Sequence, residues 1–113
     1  VHTMLLSKSP SKDTVDLALT LENCDLGMDY RSCNRSLVRY AQENGNYIDT
    51  VQTITLDGRN ASDVILEQSN GNYTRYVSLF SNGELYVFKI SGDSLNSINS
   101  SDINAVLQTA DIA

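Results

Sequence analysis

Tryptophan is missing from this chain, proline and histidine occur once each, and cysteine occurs twice. The lone histidine, His2, sits where a chain end frays, so histidine triads and histidine general bases have no candidate. With two cysteines and one histidine there are also too few ligands for a zinc site. Gly-x-Gly-x-x-Gly, phosphate-loop and His-Glu-x-x-His patterns do not occur. No apolar run approaches the length needed to cross a bilayer, so no segment reads as a membrane span. Positive charge is scarce: eight Lys and Arg stand against 14 Asp and Glu, a net charge of −6. That balance argues against a general affinity for nucleic acid or anionic membrane. No cofactor is expected, and the chain does not read as an enzyme.

What is present describes a small folded protein. A chain of 113 residues with 41% hydrophobic content supports a single domain over 1–113. Residues 1–12 read as frayed or as a cloning remnant. The first residue is Val1, which suggests a processed or trimmed chain, and "VHTMLL" allows a removed anchor or signal. The basic residues concentrate early: Lys8, Lys12, Arg31, Arg35 and Arg39 balance the acids of 1–39, leaving 40–113 with the whole negative charge.

Cys24 and Cys33 are too far apart for Cys-x-x-Cys redox chemistry. They read as a disulfide made in an oxidising compartment, with two buried thiols of a cytosolic protein as the alternative. Asn-x-Ser/Thr sequons at Asn34, Asn60, Asn72 and Asn99 fit a secreted glycoprotein or an Asn-rich periplasmic protein equally.

Periodicity supplies the elements. "TVDLALTLEN" (14–23) alternates as a strand does, with helix as the alternative reading. Residues 30–43 read as a helix capped by Asp29 and stopped by Asn44-Gly45. Tyr30, Cys33, Leu37, Tyr40 and Ala41 gather on its inner face, and Arg31, Arg35 and Arg39 form a row on the far flank. Then come strand-like runs at 50–56, 63–68, 73–80 and 85–90. Asn70-Gly71 and Asn82-Gly83 mark two-residue hairpin turns. Such turns pair Ser69 with Asn72 and Ser81 with Glu84. One sheet face then holds Val64, Leu66, Val77, Leu79, Tyr86, Phe88 and Ile90, with Arg75 among them. The other holds Ile65, Tyr76, Phe80, Leu85 and Val87 beside Asp63, Ser78 and Lys89. Residues 100–112 form a short amphipathic helix that starts on serine caps and aligns Ile103, Val106, Leu107 and Ala110.

The expected fold is α+β: an antiparallel β-meander packed on one main helix, plus a short C-terminal helix. It is cystatin-like by architectural analogy, which carries no function. Carboxylate hydrolase chemistry has only Asp57, Asp63 and Glu67 to draw on. Two surfaces are candidate partner sites. The arginine row (Arg31, Arg35, Arg39) suits an acidic partner, although a solvated helix face explains it as well. Tyr76, Phe80, Leu85 and Val87 make the second face too apolar for open solvent. The C-terminal helix, a partner protein or a small apolar ligand would cover it, and the meander's edge offers strand addition.

These readings point to an extracytoplasmic (periplasmic or secreted) protein-binding domain. Candidate roles are an accessory subunit of a secretion or surface-assembly system, an inhibitor or immunity protein, or the outer domain of a membrane regulator. The alternative is a carrier or sensor with an apolar pocket between sheet and helix.

Overall fold

The computed structural model describes residues 2–5, 30–81 and 84–109. In chain order these form β1 (His2–Leu5), α1 (Tyr30–Glu43), β2 (Tyr47–Leu56), β3 (Arg59–Glu67), β4 (Tyr73–Ser81), β5 (Glu84–Gly92), α2 (Leu95–Ile98) and α3 (Ser101–Gln108). The strands make one sheet in the order β1-β5-β4-β3-β2. Strands β2 to β5 are an antiparallel meander, and β1 adds in parallel beside β5. The α+β expectation holds. The stretch 14–23 lies outside the described residues, as do Asp29, Cys24 and the Asn82-Gly83 turn. The N-terminal end departs from the expected fraying, because His2–Leu5 pairs with Tyr86–Lys89.

Helix α1 ends where Asn44-Gly45 predicts. Gly45 adopts φ 68°, which a side chain would disfavour, and the Asn46 N–H reaches back to the Ala41 carbonyl at 2.9 Å. That backward bond is the Schellman closure of an otherwise open helix end. The buried side of α1 is Cys33, Leu37, Tyr40 and Ala41, as its periodicity indicates.

Turn chemistry decides which side chains share a face. Asp57 and Gly58, both at positive φ (50° and 72°), make a two-residue turn between β2 and β3, so Leu56 pairs with Arg59. Ser81 pairs with Glu84, as expected. The β3–β4 turn differs. Gly71 N–H donates to Gln68 O at 2.9 Å, Gln68 N–H donates to Asn72 O at 2.7 Å, and Gly71 sits at φ 87°. This is a three-residue loop closed by a left-handed glycine, a step longer than the two-residue turn the Asn-Gly pair suggests. The pairing becomes Glu67 with Tyr73 and Val64 with Tyr76. A one-residue slip moves every side chain of a strand to the other face. Val64 and Leu66 therefore join Tyr76, Leu85 and Val87 under α1. Ile65 joins Val77, Leu79, Phe88 and Ile90 under α2 and α3, through Ile98 and Leu107. The sheet is thus sandwiched, with an apolar core on each side.

The C-terminal helices start on serine. Ser94 and Ser97 form a reciprocal capping box, and the Ser100 hydroxyl accepts from Ile103 N–H at 3.2 Å. Leu107 is buried and Ile103 half-buried, while Val106 faces outward.

Candidate functional site

The expected apolar docking face is not open. Tyr76, Leu85 and Val87 are buried and Phe80 is partly buried, all packed with Cys33, Leu37, Tyr40 and Ala41 of α1. The physical reason is a swap of covers. The long helix lies on this face, where the sequence suggested the C-terminal helix, and the short helices take the other. Tyr76, Leu85 and Val87 are core and Phe80 packs against it, so their assignment as partner-binding residues is corrected.

Arg31, Arg35 and Arg39 are exposed on the opposite side of α1. The Arg31 guanidinium lies 5.5 Å from the centroid of the Tyr30 ring, and Arg35 donates to the Ser32 hydroxyl at 3.1 Å. The two predicted site clusters therefore occupy opposite sides of one helix and do not converge. Cys33 is fully buried against the sheet, and its proposed partner Cys24 lies outside the described residues. Of the sequons, Asn34 accepts a hydrogen bond from the Ser62 hydroxyl, and Asn99 belongs to the Arg75 network described below. Asn60 and Asn72 are exposed.

The three carboxylates do not form a facing pair. Asp57 pairs with Arg59 at 3.0 Å in the β2–β3 turn. Asp63 and Glu67 share a face of β3 four residues apart, or about 13 Å at the strand rise. Glycosidase carboxyl pairs lie closer than that, at roughly 5–9.5 Å. Among the described residues no group of His, Cys, Asp and Glu is placed to hold a metal ion.

Asp63 instead has a buried partner that the sequence reading left unassigned. Arg75 is 3% exposed and Asp63 0%. Arg75 Nε donates to Asp63 Oδ1 at 2.8 Å and Nη2 to Oδ2 at 2.9 Å, a bidentate fork within the sheet. Gln52 Nε2 donates to the same Oδ2 at 2.8 Å. Arg75 Nη1 turns to the helices, reaching Ile98 O at 3.2 Å and Asn104 Oδ1 at 2.8 Å. One guanidinium therefore fastens α2 and α3 to the sheet. Beside it opens a pocket of about 240 Å³ lined by Gln52, Ile54, Arg75, Asn99, Asn104, Leu107 and Gln108. The available signal was two opposite charges, Asp63 and Arg75, set inside otherwise apolar strand runs. The expected register placed them on opposite faces, and the longer turn brings them onto one.

The remaining surface feature is β2. Among the described residues it lies at the sheet edge, paired with β3 alone. Tyr47 is 70% exposed, Ile48 40% and Val51 43%. The run Thr50–Thr55 holds no charge, proline or glycine. Natural edge strands are usually blunted by such residues against pairing with other chains. A bulge between Ile48 and Thr50 is the only irregularity in its pairing.

No protein family, curated protein or solved structure matches this chain.

Proposed function

We propose that this chain is a non-enzymatic, extracytoplasmic protein-binding domain. It acts as an accessory subunit of an export or surface assembly, an inhibitor or immunity protein, or the outer domain of a membrane-bound regulator. The observation that carries the reading is the open β2 edge. The two sheet faces are packed under the chain's own helices, while Tyr47, Ile48 and Val51 stay exposed on a strand that has no second neighbour among the described residues. An edge of this kind is a template for another chain.

The location rests on the cysteines. A Cys24–Cys33 disulfide would tie the start of α1, where Cys33 is buried, to the segment before it. Alkylation of denatured, unreduced protein is expected to label neither cysteine. Labelling of both would move the protein to a reducing compartment.

A carrier of small apolar ligands is the second reading. The pocket beside Arg75 suits it poorly, because amide and guanidinium groups dominate its lining and favour a hydrogen-bonding guest. A clean apo mass in native mass spectrometry is expected, and a retained lipid-like mass would favour the carrier.

The test of the main reading is chemical crosslinking in the extracytoplasmic fraction of the source. The unmodified chain is compared with a Val51→Lys/Thr53→Lys variant. A crosslinked protein lost in the variant supports the reading, and no crosslinked protein in either arm overturns it.

A further inference from the structure

The open edge specifies the chemistry of its partner through its charge, its alternation and the pocket beside it. Glu43, Asp49 and Glu67 lie at the end where β2 begins, Glu67 paired directly with Tyr47. The nearest basic group on the hairpin, Arg59, is at the far end and is held by Asp57. The ion pairs Arg59–Asp57 and Arg75–Asp63 involve none of these three carboxylates. The beginning of the edge is acidic and its middle is neutral.

The pleat divides what an added strand would touch. Ile48 and Val51 pair with Leu66 and Val64, so they lie on the α1 side of the sheet. Gln52 and Ile54 pair with Asp63 and Ala61 on the α3 side, where both also line the Arg75 pocket. A strand laid along β2 therefore sends alternate side chains to an apolar border and to the mouth of an amide-lined cavity. Main-chain pairing gives such a complex affinity, and alternate side-chain sites give it selectivity.

We infer that β2 takes an extended segment of another protein by antiparallel strand addition. In that segment β-branched apolar side chains alternate with small hydrogen-bonding ones, and a lysine or arginine at its C-terminal end meets Asp49. This rests on the protein-binding reading above and names the site and partner class. A second copy of this chain fits less well. Antiparallel pairing of two β2 strands about Thr53 sets Asp49 of each against Asp57 of the other, between molecules each carrying −6. Like charges directly opposite destabilise a strand pair.

The probe is a short capped peptide alternating valine with threonine and ending in two lysines, titrated into the isotopically labelled full chain. Controls carry the lysines at the N-terminal end or glutamates in their place. Expected are amide shifts centred on Thr50–Thr55 and on the Gln52 and Asn104 side chains. The glutamate peptide should bind about tenfold more weakly, the scale of a few exposed charge contacts. Asp49→Asn should shrink that difference, and Val51→Lys/Thr53→Lys should remove binding while the remaining spectrum keeps its folded dispersion. Equal affinity for the peptides, shifts away from β2, or concentration-dependent dimerisation through β2 would overturn the inference. The two levels separate cleanly. A natural partner that crosslinks equally to the edge variant keeps the protein-binding reading and refutes the edge. Peptide binding at β2 with no natural partner does the reverse.

Discussion

Removing Arg75 should cost this fold more than removing any exposed charge, and the structure shows why. Its guanidinium and the Asp63 carboxylate are both buried and share two hydrogen bonds of 2.8 and 2.9 Å. In Arg75→Met, Asp63 keeps only the Gln52 amide as a partner in the network, and its charge stays in the sheet interior. Ile98 O and Asn104 Oδ1 lose their donor as well. Breaking a buried pair from one side costs about 3–5 kcal/mol, a large part of the roughly 5–15 kcal/mol that holds a domain together. Asp63→Leu alone leaves the guanidinium stranded and should cost a similar amount. The double variant Arg75→Met/Asp63→Leu strands neither charge, because two apolar side chains of similar volume replace the pair. It loses the bonds to Ile98 and Asn104, at about 1 kcal/mol each, and should lie within about 2 kcal/mol of the unmodified chain. Urea unfolding of the four proteins gives the coupling energy directly. Single variants within about 1 kcal/mol of the unmodified chain, or a double variant whose loss equals the sum of the singles, would refute the reasoning.

Gly71→Ala forces a side chain into the left-handed φ of 87° that closes the three-residue β3–β4 loop. It should cost about 1–2 kcal/mol by thermal unfolding, with Gly71→Asn milder. A Cβ on Gly92 would fall 2.1 Å from the Ser97 hydroxyl and 3.0 Å from an Ile98 methyl. Gly92→Ala should therefore lose about 1–3 kcal/mol and expose Ile98 to solvent. Adding Ser97→Gly should restore part of that loss, and no restoration would show that the clash lies elsewhere. Reduction of the proposed Cys24–Cys33 bond should lower stability by about 2–3 kcal/mol, the loop-entropy scale for so short a closure. An unchanged urea midpoint after reduction would argue against the bond.

The fold class was legible because its signals are local. The i, i+3, i+4 spacing of Cys33, Leu37, Tyr40 and Ala41 marks the buried side of α1 wherever that helix docks. Ser100 announces the start of α3 in the same local way, whereas α2, begun by the Ser94–Ser97 capping box, was not expected. Register was less legible, because the Asn70-Gly71 pair serves both a two-residue and a three-residue turn. The choice of the longer turn exchanged Val64 and Leu66 for Asp63 and Ile65 on each face. That single residue also hid the Asp63–Arg75 pair and its bonds to Gln52, Ile98 and Asn104. Which helix covers which face is a long-range choice that periodicity does not encode, since either cover suits an apolar strand surface. So Tyr76, Phe80, Leu85 and Val87 were recognisable as buried-grade residues, while what buries them was not. The arginine row was placed correctly on the exposed outer flank of α1. The edge role of β2 depends on strand order, which adjacent hairpins fix on one side only.

The proposed function stands or falls on a partner pairing with this protein along β2. A photo-crosslinking side chain installed at Thr53, exposed on that strand, is the decisive probe in an extract of the native source. The expected result is a crosslink to an extended segment of another protein, suppressed by the lysine-ended peptide and absent when the same group is placed at Arg35. A partner crosslinked from Arg35 and never from Thr53 would contradict it and return the arginine row to first place.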